Sequence, residues 1–182
     1  AQFPTEYGEQ RQPNSNFLLI PKVSSKNRNY IPIGYMDLNN IITDKVFAFP
    51  KADLYSFGIL NSIIHMTWVK NTAGRLKSDY SYSNTIVYNN FPWPTKINEK
   101  NKKKVEGKAQ NILDVRAEFP ESTLADLYHK LTMPPKLIKA HKELDKAVDL
   151  CYRPQAFMNE NARIEYLFDL YNQYTEPLLV NK

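Results

Sequence analysis

Near Pro94 the hydrophobic pattern of this chain changes its period, and that change limits the folds open to it. Before it, apolar residues come in short runs, at 17–20, 30–36 and 46–49, each bounded by Pro, Asn, Ser or Asp. Short runs between turn formers predict strands joined by tight connections. Pro32 falls inside the second run and predicts an edge position or a bulge, because proline lacks the N–H that a central strand donates. After the change, apolar residues recur at three- and four-residue intervals in a charged background, which predicts amphipathic helices. The expected architecture is α+β: a mixed, mainly β unit over residues 1–95 containing one long buried helix, then a small helical unit over 96–182.

The long helix is expected over 52–73. Leu54, Phe57, Ile64 and Trp68 fall near one face, and Ile59, Leu60, Ile63 and Val69 cover much of the rest. A helix so apolar is buried. Gly74 reads as its C-terminal stop. Thr85, Ile86, Val87 and Tyr88 are β-branched or aromatic and predict a strand. In the second half, Asn98 is placed to cap a helix whose stripe is Val105, Ala109, Ile112, Arg116 and Phe119. Ser122 is expected to cap a short helix. Pro134 and Pro135 open another, with Leu137, His141, Leu144, Val148 and Cys151 on one face. A last helix groups Ile164, Leu167, Phe168 and Tyr171.

With 182 residues and 42% hydrophobic content, the chain has enough apolar material for one domain or two small ones. It contains no run of 18 apolar residues, which argues against a membrane span. The opening segment is polar, lacks the apolar centre of a signal peptide and does not begin with Met, which reads as a piece cut from a longer protein. The single cysteine, Cys151, excludes an internal disulfide and a Cys-based zinc site, reads as a small buried helix residue, and suits a reducing cytoplasm.

The glycine-rich phosphate loops, the HExxH zinc helix and the GxSxG nucleophile turn are all absent from a chain with only 5 glycines. His65 and His141 fall on apolar helix faces and read as core or boundary histidines, while Asp145 and Asp149 read as helix-surface charges. The residues therefore outline no catalytic centre. Net charge is +5, and the excess lies early: residues 1–98 carry 10 Lys/Arg against 6 Asp/Glu. That balance is compatible with a polyanionic partner.

The segment 74–94 concentrates polar recognition chemistry. Arg75 and Lys77 are long donors, Asp79 is a short acceptor, and Tyr80, Tyr82, Tyr88, Asn84, Asn89 and Asn90 follow before Phe91-Pro92-Trp93-Pro94. It reads either as a surface for base edges or as a strand whose tyrosines fill a core. Lys102, Lys103 and Lys104, flanked by Glu99 and Glu106, read either as a solvated helix face or, with Lys100 and Lys108, as a strip along a DNA backbone.

GRLKSDYSYSNTIVYNNFPWP at 74–94 resembles the signature of the MmeI-like family of type IIL restriction-modification proteins. NFLLIPKVSSKNRNYIPIGYMD (16–37), DLYSFGILNSIIHMTWVK (53–70), residues 112–152 and ARIEYLFDLYNQYT (162–175) extend the resemblance over nearly the whole chain. It implies a target recognition domain over residues 1–95 and a C-terminal helical domain after it. It also implies a bacterial, cytoplasmic parent that fuses these to an adenine-specific DNA methyltransferase, which uses S-adenosylmethionine, and to a nuclease. The family's N-P-P-[FY] motif, its cofactor loop and its nuclease carboxylates are missing here, so the resemblance implies no catalysis and no cofactor within this chain. The implied partners are double-stranded DNA and the other domains of the same parent.

The resemblance also implies roles for residues. The two variable positions of the family's GRLxSx segment correspond to Lys77 and Asp79, which become base readers together with Ser81. A Lys donates to guanine O6 and N7, and an Asp accepts from cytosine N4, so one loop can read both partners of a G·C pair. Lys22 and Asp44 resemble a second set of variable positions, implied to read another G·C pair, and Lys45 joins them as a base-reading candidate. Arg75, Lys100, Lys102, Lys103 and Lys104 are the phosphate-binding expectation. Two other readings are a protein-docking scaffold and a single-stranded nucleic-acid binder that stacks bases on tyrosines. Steep salt dependence and preference for one duplex sequence would separate DNA reading from both.

Overall fold

In a computed structural model, the described residues are 12–51 and 53–180, with side chains described to residue 176. Residues 1–11 of the polar opening segment, and Ala52, where the long helix was expected to begin, lie outside them.

The first half builds two small antiparallel sheets. β1 (Phe17–Pro21) lies between β3 (Gly34–Met36) and β4 (Val46–Pro50), while β2 (Val23–Ser24), β6 (Asp79–Ser81) and β5 (Gly74–Leu76) form a second sheet in that order. The chain steps from one sheet to the other at Lys22. Its N–H donates to Lys45 O at 3.0 Å, and its carbonyl accepts from Tyr82 N–H at 2.8 Å. β3 is an edge strand but begins only at Gly34, so Pro32 lies outside any strand and the run expected at 30–36 is a strand only at its end. Two helices, α1 (Leu54–Leu60) and α2 (Ile63–Thr72), lie between β4 and β5 in sequence.

The second half is helical: α3 (Glu99–Ala117), α4 (Leu124–Leu127), α5 (Pro135–Tyr152) and α6 (Glu160–Val180). The stripes read from sequence are largely the buried faces, except that Phe119 falls beyond the end of α3 and Phe168 of α6 is 41% exposed. Val105, Ala109 and Ile112 of α3 and Leu137, His141, Leu144 and Val148 of α5 are all fully buried. They pack with Leu18, Ile31, Ile33, Phe57 and Ile64 in one core that crosses the pattern change at Pro94. α1 and α3 approach closely at Gly58, where a Cβ would meet Val105 Cγ1 at 2.6 Å. Only glycine fits that crossing.

Several expectations are corrected. The long helix is broken at Asn61 and Ser62. Ser62 Oγ caps α2, Asn61 Nδ2 turns back to donate to Phe57 O at 2.9 Å, and Asp145 Oδ1 accepts the Ile63 N–H at 2.7 Å. These bonds satisfy backbone groups that a continuous helix would have paired internally. Gly74 is not a left-handed stop: the cap is Ala73 in extended backbone, and Gly74 opens β5. The segment 84–89 is not a strand. Asn84–Tyr88 forms a π-helical turn, in which Ser83 Oγ accepts from Ile86 N–H and Trp68 Nε1–H donates to Val87 O at 2.9 Å. That tertiary bond outweighs local β propensity. Thr123, not Ser122, caps α4, in a capping box with Asp126.

Asp145 and Asp149 are not surface charges. Asp145 also accepts from the Tyr30 hydroxyl at 2.7 Å, and Asp149, 7% exposed, pairs with Arg163 at 2.7 Å. α5 is covered on more than one side, so carboxylates beside its apolar stripe are enclosed too. Among the described residues no helix is long and apolar enough to cross a membrane.

Candidate nucleic-acid interface

β5 and β6 form a hairpin whose two-residue turn is Lys77-Ser78, with Leu76 paired to Asp79. Lys77 takes a positive φ of 56°. β6 is the middle strand, and side chains alternate across the sheet. One row is Ser24, Tyr80 and Arg75; Ser24, 1% exposed, and Tyr80, 5% exposed, turn inward, while Arg75 at the edge is exposed. Arg75 lays its guanidinium over the Tyr80 ring, 4.0 Å from the centroid. The neighbouring rows, Val23–Ser81–Gly74 and Asp79–Leu76, therefore face the other way, outward. Asp79 and Ser81 share that face, two residues apart.

Asp79 Oδ1 accepts the Lys26 N–H at 3.1 Å, which fixes its carboxylate at the tip of the hairpin. Among the described residues no ion pair joins Lys77 to Asp79. At the other end of β6, the backbone of Lys22 bridges Lys45 and Tyr82, next to Ser81. Lys22 Nζ lies 4.9 Å over the Phe47 ring. Asp44 and Lys45 form an exposed ion pair at 3.1 Å, with side chains 78% and 83% exposed. Such a pair contributes little and is easily exchanged for another partner. The six base-reading candidates, Lys22, Asp44, Lys45, Lys77, Asp79 and Ser81, thus gather around the second sheet and its link to the first.

The phosphate candidates do not gather with them. Arg75 is on the hairpin and exposed, its guanidinium stacked on Tyr80. Lys100, Lys102, Lys103 and Lys104 lie on the first turns of α3, whose main packing partners are α1 and α5. Lys108 is bound to Glu143 at 2.7 Å.

The tyrosines follow the core reading rather than the surface one. Tyr82 is 3% exposed, and its hydroxyl meets His65 Nε2 at 3.0 Å. Burial pushes its phenol far above the ordinary value and that of Tyr88 up to about 12. Phe91 is buried against Trp93 and Trp68, so the aromatic-proline segment is scaffold. Stacking of single-stranded bases loses its main support. Phe47, Phe49, Tyr82 and Tyr88, with Asn84 and Asn89, do line a shallow cleft of about 210 Å³ beside Lys22.

His65 and His141 are satisfied core residues, as expected. His65 Nδ1 meets Leu60 O at 2.7 Å, and burial pulls its pKa down to about 4. His141 bonds the Tyr128 hydroxyl at 2.6 Å and Asn61 O at 3.1 Å; burial first, then the nearby Arg116, holds it well below the ordinary histidine value. Cys151 is buried, its thiol pushed up to about 11 by burial, which keeps it unreactive. No group of three His, Cys, Asp or Glu side chains able to hold a metal occurs among the described residues. Two features escaped the sequence reading. Arg116 is a buried anchor, bonding Ile33 O, Asn61 Oδ1 and the Tyr128 hydroxyl. Val23 and Leu76 are apolar yet stand on the outward face, placed there by the cross-strand register, for which the sequence offered no local signal.

Residues 1–95 match the family described as MmeI, target recognition domain, and residues 97–179 match MmeI, C-terminal domain. DNA methyltransferase A of Bacillus subtilis (strain 168) is 40% identical over 173 residues, which is 95% of this chain and 20% of that protein. A solved structure of the type IIL restriction-modification enzyme MmeI in complex with DNA is similar with a TM-score of 0.89 at 43% identity, covering 96% of this chain and 23% of that one. The chain spans about a fifth of the length of these relatives.

Proposed function

The chain belongs to the MmeI family, and from that membership we propose that it is the sequence-reading part of a larger DNA-modifying protein. Residues 1–95 read base edges of duplex DNA, and residues 96–182 form a helical unit that holds them in place. The observation that carries this reading is the placement of Lys77, Asp79 and Ser81 on one hairpin, with Lys22 and Lys45 joined by a backbone hydrogen bond where its sheet meets the first, and Asp44 paired to Lys45. The similarity to a protein solved with DNA supports it.

The sheet suits the task because it is anchored. β6 is paired on both sides, and Tyr80 and Tyr82 sink its inner face into the core. Side chains on a rigid strand keep the geometry that base reading needs. Lys77 donates to guanine O6 and N7, and Asp79 accepts from N4 of the paired cytosine. Each good contact supplies about 1–3 kcal/mol of discrimination.

Methyl transfer to adenine, the S-adenosylmethionine it consumes, and any DNA cleavage belong to other domains of the parent, in the bacterial cytoplasm. The cleft beside Lys22 does not fit that cofactor: no acidic side chain lines it, and its volume of about 210 Å³ is small for such a ligand. The chain alone transfers no methyl group.

The test is a charge reversal in the full-length protein. Lys77→Glu with Asp79→Arg exchanges donor and acceptor. Sequencing of methylated sites should show G replaced by C at one position of the target, the others unchanged. An active double variant with an unchanged target would overturn the assignment of these residues.

A further inference from the structure

The outward face of the second sheet carries two apolar side chains among its hydrogen-bonding ones. Val23 is 42% exposed and stands beside Ser81 in the register; Leu76 is 57% exposed and stands beside Asp79. Single exposed apolar residues are ordinary on protein surfaces. These two differ in their placement. They occupy the two outer strands of a ribbon whose middle strand holds Asp79 and Ser81, with Lys77 at the turn. Beside Ser81 the third position of the row is Gly74, where an added Cβ would meet nothing closer than Ser81 Cβ at 3.9 Å. The face is open there to an incoming surface.

The spacing fits a duplex. Two strand separations across the ribbon and a two-residue offset along it place Val23 and Leu76 roughly 12 Å apart, the rise of between three and four base pairs. The charge fits as well: Lys26 and Lys77, both exposed, lie beside Asp79, which is the one acidic residue within β2, β5 and β6. A protein partner would call for a broader apolar patch than two separated side chains.

Resting on the DNA-reading function proposed above, we infer that Val23 and Leu76 read thymine by contact with its C5-methyl group, on base pairs beside the one faced by Lys77 and Asp79. In the major groove each base pair presents hydrogen-bonding groups, and thymine alone adds a methyl. Lys77, Asp79 and Ser81 answer the first kind of feature, and apolar side chains answer the second. Contact removes both the methyl and the aliphatic side chain from water.

Deoxyuridine tests this cleanly, because it pairs as thymidine does and lacks only the methyl group. Duplexes are selected from a random pool by the full-length protein, and each thymine of the selected target is replaced in turn by uracil. At one or two positions affinity should fall about fourfold, the worth of one buried methyl. Leu76→Ala and Val23→Ala should each bind the thymine duplex more weakly by a similar factor and no longer distinguish uracil at one of those positions. Both residues are exposed, so the melting midpoint should not move. Equal affinity for thymine and uracil at every position would overturn the inference, and so would a preference that persists in both variants. Selection of no common target at all would instead overturn the DNA-reading function, and this inference with it.

Discussion

Asp145 accepts the backbone N–H of Ile63 at 2.7 Å across 82 residues of sequence, and this bond holds open the break between α1 and α2. The other carboxylate oxygen takes the Tyr30 hydroxyl at 2.7 Å. One side chain of the helical half therefore shapes the half that carries the two sheets. Enclosure pushes its carboxyl up to about 6; Asp149 adds to the rise, and the two hydrogen bonds and Arg163 work against it.

The first prediction follows from the signs of these shifts. His65 and His141 stay neutral in the fold and gain protons below about pH 6.5 only in the unfolded chain. Each therefore lowers stability as pH falls from about 6.5 toward 4, by ~1.4 kcal/mol per pH unit. Asp145 acts oppositely, because its folded carboxyl takes up a proton near 6 and the unfolded one only near 3.8. Two histidines outweigh one aspartate, so stability falls on acidification by ~1.4 kcal/mol per unit. Asp145→Asn removes the opposing group and should roughly double that slope. Urea unfolding between about pH 4 and 6.5 measures it; equal slopes in the two proteins would refute the assignment.

A second prediction concerns Arg116, a buried cation bonded to Ile33 O at 2.8 Å, Asn61 Oδ1 at 3.0 Å and the Tyr128 hydroxyl. Arg116→Leu leaves the Asn61 and Ile33 oxygens unpaired in the core. It should cost about 2–5 kcal/mol, and Arg116→Lys should recover only part, because an ammonium cannot reach all three acceptors with fork geometry. Since Ile33 and Asn61 lie before Pro94 and Tyr128 after it, unfolding should remain a single transition across the chain. Two separate transitions for the halves would contradict the shared core.

How much of this was legible in the sequence depends on the distance to the deciding partner. The stripe of Val105, Ala109 and Ile112, its Asn98 cap and the Pro135 start of α5 are local patterns, and all are realised. The break at Asn61 is decided by Asp145 and Arg116, far along the chain, so helical periodicity ran straight through it. The π-helical turn at 84–88 depends on Trp68 donating to Val87 O, and β propensity could not register that bond. Family resemblance, not periodicity, pointed to Lys77 and Asp79, and the face that Leu76 and Val23 share with Asp79 is set by the hairpin turn and the pairing of β2 with β6.

The third prediction separates affinity from specificity. Lys103 and Lys104 are exposed on α3, away from the hairpin. If they lie along the phosphates, neutralising both to Gln should weaken binding to all duplexes alike and reduce the salt slope by about 2, close to one unit for each lost contact. The selected target should not change. An unaltered slope would assign the lysine run to solvent.

The last prediction weighs the fold against the function at a single residue. Lys77 is the first of two turn residues in a hairpin and holds φ at 56°, while Ser78 is not among the positive-φ residues. That is the pattern of a type II′ turn, in which the first position favours glycine. A β-carbon there costs on the order of 1 kcal/mol. The chain carries lysine nonetheless, at the tip of the strand that holds Asp79. Lys77→Gly should leave thermal stability unchanged or raise it by up to ~1 kcal/mol, since the exposed side chain packs against nothing that would be lost. The same variant should lose discrimination at one G·C pair of the target while keeping the rest. Denaturation curves and duplex selection on one protein sample measure both effects. A destabilised Lys77→Gly, or one that still distinguishes that pair, would show that lysine stands at the turn for the fold and not for the groove.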